Sequence, residues 1–531
     1  VPLLGMVLGN GLTGISLGLE RCLTSFDEER ASIELWISAG ARPWESARPT
    51  AAKALRAGLI PILNAMSVAG LVTIPGMMTG QILGGTEPGL AARYQIMVMF
   101  LIAGATAAGT TGVVVGAPRP GYRDPMGCVT GLRCVVCGQE APAPESVGTC
   151  PRCADPSATL EVEFDLERVA RTLTREALAQ RPRSHWRYAE LLPIEPDEAA
   201  FRWPIGCTPL LDAPRLARWA GLERLRLKDD SRNPTASFKD RASSVGVLHA
   251  LQRGATRIAC ASTGNAASSL AGFAAMAGLG ATIFVPQTAP EPKLAQLLIY
   301  GADVRRVRGT YAQAYELCSA ECEARGWYNR NCAINPYLVE GKKTCGLELA
   351  EETATRPADW VAVSVGDGCT IAGIGRGLEQ MRRLGFIERL PRLLGVQAAG
   401  VHPLQAAFES GELPGPDSPA TGGTTMADSI DVPLPRNWRK AVLRVRESQG
   451  TLLHVSDDEI GAALCALGAL AGVFAEPAAA TAVAGVRRAV LDGIIGPRDE
   501  VVAVITGSGL KDIRNALRVA GRPRDVDPIG A

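Results

Sequence analysis

Four segments of the 531-residue sequence carry residue types that could do chemistry together. The first is Lys228–Arg241, K-D-D-S-R-N-P-T-A-S-F-K-D-R, in which Asn233-Pro234 marks a turn and Ser237 is placed to cap a helix. Lys239 then falls in the first helical turn, beside the positive end of the dipole. There the charged form is disfavoured, and the amine is freed to act as nucleophile and base. A solvated surface lysine is the plain alternative. The second segment, Ser262-Thr263-Gly264-Asn265, joins a strand to an Ala-rich helix. Its hydroxyls and backbone N–H groups make a carboxylate site, or a simple N-cap. The third, Gly366-Asp367-Gly368-Cys369-Thr370, again leads from strand to helix. Its glycines let successive N–H groups cradle a phosphate, although G-x-G also occurs in nucleotide fingerprints. The fourth is Thr506-Gly-Ser-Gly-Leu-Lys511, after the last predicted strand.

A further constellation is Cys134-Val-Val-Cys137, twelve residues, then Cys150-Pro-Arg-Cys153. Two C-x-x-C pairs at this spacing bring four thiolates to the corners of a tetrahedron, the arrangement of a closed structural Zn²⁺ site. A redox pair is the alternative, but no βα unit follows either C-x-x-C at the right distance. Cys128 lies outside the spacing.

The elements that must position these residues read as α/β. Arg257–Ala261, Ala281–Val285, Trp360–Val365, Leu393–Val396 and Val501–Ile505 are short apolar runs separated by stretches that suit helices, which predicts largely parallel sheets. The glycine- and hydroxyl-rich loops sit at strand ends, where open sheets bind ligands. A net charge of +1 gives no reason to expect a nucleic-acid partner. Only four histidines occur, widely spaced, which argues against a His-rich metal site or a His-based triad. The scattered cysteines fit a reducing cytoplasm.

The first 118 residues differ. Val1–Leu19, Ala57–Thr86 and Tyr94–Pro118 carry no charge, and each approaches or exceeds the roughly 20 apolar residues of a membrane-spanning helix. No signal peptide is recognisable at the start. Between the first two runs, Glu20–Arg56 holds six basic and six acidic residues. The basic count assigns it to the cytoplasmic side. Ile33, Leu35, Trp36, Ala39, Trp44 and Ala47 read as amphipathic helices on a partner or membrane surface. The strings L-G-N-G-L-T-G-I-S-L-G-L, S-A-G-A-R-P-W-E-S-A and G-L-I-P-I-L-N-A-M-S-V-A-G-L-V-T-I-P-G-M-M-T-G-Q-I-L-G-G resemble an ABC-transporter permease family linked to metal-ion (iron) export. Residues 1–116 look like the C-terminal half of such a permease. The resemblance implies an inner-membrane segment and an ABC ATPase partner, docked near the Ala-Gly-Ala turn. The Pro/Gly-rich stretch Gly116–Pro125 breaks the chain before Met126.

From the cysteine knuckle onward the motifs, in this order, resemble the threonine synthase branch of the fold-type II pyridoxal-phosphate enzymes. N-P-T-x-S-F-K-D-R is the most specific; P-K-L-A-Q (Pro292–Gln296), E-G-K-K-T (Glu340–Thr344), A-D-S-I (Ala427–Ile430) and A-E-P-A-A-A (Ala475–Ala480) add to it. The resemblance implies two α/β subdomains with Lys239 holding the cofactor aldehyde and Asn265 bonding the ring hydroxyl. Gly366, Asp367, Gly368, Cys369 and Thr370 would surround the cofactor phosphate, and Thr506 would face the pyridine nitrogen. Ser262 and Thr263 would take the carboxylate of an amino-acid substrate. Lys342 and Lys343 would hold a second, substrate phosphate, or form an exposed helical charge pair. A cytoplasmic homodimer is expected. Departures occur at Asp230 and Ala236, where glutamate and glycine are usual, in the G-D-G-C-T loop, and at Asn335-Pro-Tyr-Leu338, which lacks a basic residue.

The expected organisation is a permease-like membrane fragment (1–118), a linker (119–126), a four-cysteine zinc knuckle (127–156) and a catalytic domain (157–531). The expected reaction converts O-phospho-L-homoserine and water to L-threonine and phosphate. The competing chemistry is a dehydratase, an ammonia-lyase or β-replacement on a phosphoserine-like substrate, and the competing class is a permease fragment with a passive soluble part.

Overall fold

In this computed structural model the described residues are 15–17, 19–22, 24–25, 28–29, 43–68, 76–116, 128–141, 148–153, 155, 157–195, 205–287, 289 and 291–527. The chain divides into two compact units, Val1–Asp124 and Pro125–Ala531.

Among the described residues of the first unit the longer helices are α1 (Pro43–Val68), α2 (Gly76–Leu83) and α3 (Pro88–Gly116). Among the described residues one helix is long and apolar enough to cross a membrane, over Pro88–Thr111, and only 28% of its most apolar window is buried. Its exposed Ile96, Met97, Phe100 and Leu101 would meet lipid rather than a protein core. This helix corresponds to the third of the three runs expected from the sequence, Tyr94–Pro118. The run Ala57–Thr86 is divided between α1 and α2, with 69–75 outside the described residues. Most of Val1–Leu19, and residues 30–42 with the Ala-Gly-Ala turn, also lie outside them, whereas Trp44 and Ala47 of the amphipathic stretch fall at the start of α1.

The second unit opens with an antiparallel ribbon in the order β2-β1-β3, made of β1 (Val129–Cys134), β2 (Glu140–Ala141) and β3 (Leu160–Phe164). Next come β4 (Leu210–Asp212), β5 (Leu225–Asp229), β6 (Arg257–Ala261), β7 (Gly280–Pro286), β8 (Asp303–Val307) and β9 (Tyr328–Asn329). The last strands are β10 (Trp360–Ser364), β11 (Arg392–Ala398), β12 (Thr451–Val455) and β13 (Val501–Ile505). The larger sheet has the order β12-β11-β10-β13-β5-β4 and is parallel except for edge strand β4; the smaller is parallel throughout, β8-β7-β6-β9. This is the expected α/β architecture.

Five predicted strands form as read, while β5 and β8 escape an apolar-run reading because they are charged. In L-R-L-K-D of β5, Arg226 and Lys228 are 5% and 0% exposed, so the strand is buried through paired charge. In D-V-R-R-V of β8 the edge position leaves the polar side chains half-exposed.

The helices that shape the site are α4 (Lys239–Gln252), α5 (Asn265–Met276), α6 (Tyr337–Glu352), α7 (Cys369–Arg383) and α8 (Pro477–Leu491). α6 is buried along nearly its whole length and is pressed between α4 and α7. A Cβ at Gly341 would fall 2.0 Å from the Arg241 carbonyl of α4, and one at Gly377 would fall 2.3 Å from the Lys343 carbonyl. Glycine is required for these helices to approach so closely.

Two buried imidazoles sit beside this stack. His185 contacts Ser244 and Thr344 at 3.3 and 3.5 Å, and His249 of α4 stacks on Tyr337 with centroids 3.9 Å apart. Burial first, then the Arg241 charge, holds His185 down to about 3, and burial and Arg253 do the same for His249. Between the usual value near 6.5 and about 3, the unfolded chain binds these protons and the folded chain does not. Stability should therefore fall steadily as pH drops through that window. Denaturation midpoints against pH should show the decline, and His249→Gln should flatten it.

Candidate active site

Lys239 is the first residue of α4, and the turn before it is fastened at several points. The fully buried Arg241 guanidinium donates to Asp230 through Nε and Nη2 at 2.6 and 2.9 Å, and to Glu348 of α6 through Nη1 and Nη2 at 2.6 and 2.8 Å. The Thr344 hydroxyl accepts its fifth N–H, and the Thr208 hydroxyl shares those of Nη2 at 3.3 Å. Lys228 Nζ lies 2.8 Å from both Glu348 and Glu352. Asp240 accepts from the Thr235 N–H at 2.6 Å and from the Thr235 hydroxyl. Two departures from the family pattern thus acquire physical meaning. Asp230 is the shorter carboxylate that meets Arg241 side-on, and Ala236 adopts φ 62°, the left-handed conformation a glycine takes without strain.

Ser237 does not cap α4. Phe238 occupies that position, and the Ser237 Oγ is buried with no hydrogen-bond partner among the described residues. The segment is held instead by Thr506–Ser508. The Phe238 N–H donates to the Thr506 carbonyl at 2.8 Å, and Ser508 N–H donates to the Ala236 carbonyl at 3.1 Å. Thr506 is thereby fixed against Phe238, one residue before Lys239. The half-buried Lys239 ammonium makes no hydrogen bond or ion pair among the described residues. Burial first, then the nearby Lys342 charge, pushes its pKa down.

Asn265 begins α5 behind Gly264, with no side-chain cap. Its Nδ2 donates to both carboxylate oxygens of Glu476 at 2.9 Å. Burial pushes the Glu476 carboxyl up, opposed by Asn265 and the Lys239 charge. A Cβ at Gly507 would lie 2.4 Å from Glu476 Oε1, so this contact exists because position 507 is glycine. Ser262 Oγ accepts from the Gly264 N–H at 3.2 Å, which leaves its own proton free to donate. Ala236, Thr263, Asn265, Asp428, Glu476 and Lys511 help to line a cleft of about 340 Å³.

The loop Gly366–Thr370 follows β10 and starts α7. Gly368 caps that helix at φ 93° with no side-chain bond, so the first N–H groups of α7 lack an internal partner. The Asp367 carboxylate is directed elsewhere, accepting from Asn437 Nδ2 at 2.6 Å and the Arg436 N–H at 2.8 Å. Only its backbone belongs to the loop's concave side.

The two neighbouring lysines separate. Lys343 pairs with Glu340 and sits 3.9 Å from the Phe164 ring centroid, on the ribbon side. It takes no part in the cleft. Lys342 is fully buried, with Nζ 2.5 Å from Cys369 Sγ and 3.2 Å from Cys332 Sγ. Neither lysine is exposed, so the reading of a solvated charge pair fails. Glu476 and Cys332 were not identified as site residues from the sequence. The A-E-P-A-A-A string contained a signal for Glu476, but nothing in N-R-N-C-A-I-N-P marked Cys332.

The four knuckle cysteines bring their Sγ atoms within 4.8 Å of one another. Cys134 lies 3.8 Å from Cys153 and Cys137 lies 3.8 Å from Cys150. A tetrahedron of Zn–S bonds near 2.3 Å has edges of about 3.8 Å, so the cluster has the dimensions of a metal centre. The Gln139 backbone N–H, first among several contacts, holds Cys137 down to about 7.

Two parallel sheets that supply a lysine with a depressed pKa and two uncapped helix ends define an α/β enzyme built to hold anionic groups. The pyridoxal-phosphate dependent enzyme family matches residues 203–507. Threonine synthase of Methanosarcina acetivorans is 37% identical over 397 residues, covering 75% of this chain and 96% of that protein. That of Methanocaldococcus jannaschii is 33% identical over 396 residues, covering 74% and 96%. These alignments are longer than the chain from Trp203 to its end, so the likeness reaches upstream of the catalytic motifs. Among solved structures, the processed threonine deaminase isoform 2 of Solanum lycopersicum has a TM-score of 0.52 at 22% identity, covering 59% of this chain and 82% of that one. Maize serine racemase has 0.51 at 19%, covering 59% and 91%. The chain belongs to the pyridoxal-phosphate dependent enzyme family, with the fold-type II architecture. Residues 1–120 match an uncharacterised protein family (UPF0014), which supports the permease-like reading of that segment.

Removing one partner from the Arg241 cluster would strand a buried charge. Glu348→Ala should cost about 3–5 kcal/mol in chemical denaturation. It should also loosen the turn that carries Lys239.

Proposed function

We propose that the chain is a threonine synthase-like lyase that converts O-phospho-L-homoserine and water to L-threonine and phosphate. The observation that carries this reading is Lys342. A fully buried ammonium with no carboxylate partner among the described residues stands beside Lys239 and the Gly366–Thr370 loop. It supplies the cation that a second, substrate phosphate requires. It also answers the basic residue missing after Asn335-Pro336, because α6, which starts there, carries Lys342. The names and coverage of the relatives support the same reaction.

The residues present fit the cofactor. The orphaned Ser237 hydroxyl, the free Lys239 amine and the uncapped start of α7 are groups that gain partners when it binds. Gly366, Gly368, Cys369 and Thr370, with the backbone of Asp367, would hold its phosphate, Asn265 its ring oxygen and Thr506 its ring nitrogen. When bound, the cofactor supplies an aldehyde to capture an amine and a ring to take up electron pairs. Lys239, its ammonium already weakened, takes the proton from Cα and then serves the proton at Cβ. Ser262, Thr263 and the first N–H groups of α5 hold the substrate carboxylate and fix which proton faces Lys239. Glu476 fixes the orientation of the Asn265 amide by accepting from its Nδ2. Lys342 receives the charge that develops on the departing phosphate.

Around this centre, the Cys134, Cys137, Cys150 and Cys153 thiolates would hold one structural Zn²⁺, the catalytic part would work in the cytoplasm as a homodimer, and residues 1–118 would sit in the inner membrane with an ABC ATPase as partner. Residues 119–126 would be the linker, 127–156 the knuckle and 157–531 the catalytic domain.

The purified protein should be yellow, and borohydride should tag the peptide containing Lys239. Incubation with O-phosphohomoserine should release phosphate and threonine in equal amounts. Lys342→Ala should raise the KM at least about tenfold, the scale of one lost hydrogen bond to a charged group, while the colour remains. Phosphate without threonine, or keto acid and ammonia from serine, threonine or diaminopropionate, would point instead to a dehydratase or ammonia-lyase. Metal analysis should find about one zinc per chain, as four-thiolate closure requires. Cys137→Ser should lose that metal and lower stability more than turnover; full metal retention would count against the assignment.

A further inference from the structure

The partners of Lys342 raise a question of charge that the proposed reaction does not resolve. Its ammonium is fully buried, and its hydrogen bonds among the described residues go to two sulfurs, Cys332 Sγ at 3.2 Å and Cys369 Sγ at 2.5 Å. A buried cation with no counter-charge costs several kcal/mol. In the absence of an anionic ligand, a thiol is the group within reach that can supply the negative charge. Geometry selects Cys332. Its sulfur is also 3.7 Å from Arg330 Nη1, and it is partly exposed, whereas Cys369 is buried. A hydrogen bond from Cys369, then the Lys342 and Arg330 charges, holds Cys332 well below the ordinary thiol range. The same pairing, with burial, pushes Cys369 well up. One sulfur is thus prepared as a nucleophile and the other as a neutral thiol beside it.

We propose that Cys332 is a reactive thiolate modified by electrophiles and hydroperoxides, with Cys369 as its resolving partner. The Cys332 sulfur attacks one oxygen of the hydroperoxide. The O–O bond breaks, Cys332 becomes a sulfenic acid, and the other oxygen leaves with a proton as water or an alcohol. The Cys369 sulfur then attacks the sulfenic sulfur. The S–S bond forms, the S–O bond breaks, and the Cys369 proton leaves with the hydroxyl as water. The two sulfurs have together lost two electrons, and the hydroperoxide has gained them. Because Cys369 is the first residue of α7, the new bond ties the Gly366–Thr370 loop to Cys332 and withdraws the thiolate from Lys342. A small-molecule thiol reverses the change by exchange. An anion bound at Lys342 supplies the counter-charge in place of the thiolate, so Cys332 takes a proton and becomes less reactive. This inference rests on the sulfur–ammonium geometry and does not depend on which amino acid the enzyme uses.

The test uses the full chain in detergent. With limiting iodoacetamide at neutral pH, peptide mapping should find Cys332 labelled ahead of the exposed Cys465, and inorganic phosphate should slow that labelling. Lys342→Met should reduce the rate about tenfold or more, one pKa unit being a tenfold change in thiolate at a given pH. Hydrogen peroxide should yield a Cys332–Cys369 cross-linked peptide, two hydrogens lighter than the parent pair, with loss of turnover that dithiothreitol restores. Cys332→Ser should retain its turnover in peroxide at doses that stop the parent chain. Any of three results would overturn the proposal: Cys332 unlabelled while Cys465 reacts, labelling indifferent to Lys342→Met, or oxidised Cys332 with no link to Cys369.

Discussion

Arg241 has no exposed surface and yet carries a full charge, and much of the catalytic unit is arranged around satisfying it. Its guanidinium joins Asp230, at the end of β5, to Glu348 on α6, and Lys228 joins the same glutamate from within β5. Each of these ions would be expensive to bury alone. Together they are neutralised and hydrogen-bonded, so the cost of separating them is high. The chemical consequence lies two residues away. Lys239 cannot shift along the chain or rotate with its helix unless this cluster comes apart. A strong fixed interaction therefore holds a weakly held, partner-free amine.

The same contrast recurs around the cleft. Groups that only support are saturated: the Asp367 carboxylate by Asn437 and the Arg436 N–H, Asp240 by Thr235. Groups placed for ligands are left short of partners: the Ser237 hydroxyl, the Lys239 amine and the N-termini of α5 and α7. Buried polar groups are rarely left unpaired without reason.

The two units differ in how they meet solvent. The second has sheets, helices and a charged surface, and its apolar residues are gathered into buried clusters. In the first, α3 presents Ile96, Met97, Phe100 and Leu101 outward. That is unfavourable in water and natural in lipid. The change from a permease-like segment to an enzyme is visible as a change in which environment the apolar residues are built for.

Sequence alone determined much that depends on local chemistry, although not the cap of α4. The parallel-sheet architecture followed from short apolar runs between helical stretches, the cysteine cluster from spacing, and the position of Lys239 at a helix start from the Asn-Pro turn before it. Pairings across long separations were not legible. Nothing local distinguishes Lys342 from Lys343, adjacent on one helix; tertiary packing turns the first toward Cys369 and the second toward Glu340 and Phe164. Charged β5 looked unlike a buried strand because its partners, Glu348, Glu352 and Glu500, lie more than a hundred residues away. Glu476 reaches Asn265 only because Gly507 has no side chain, and Cys332 becomes unusual only beside Lys342. A sequence reports which groups a chain owns and which local conformations they prefer. Which charges neutralise one another, and which are left unpaired for a ligand, is decided when the sheets and helices close around them.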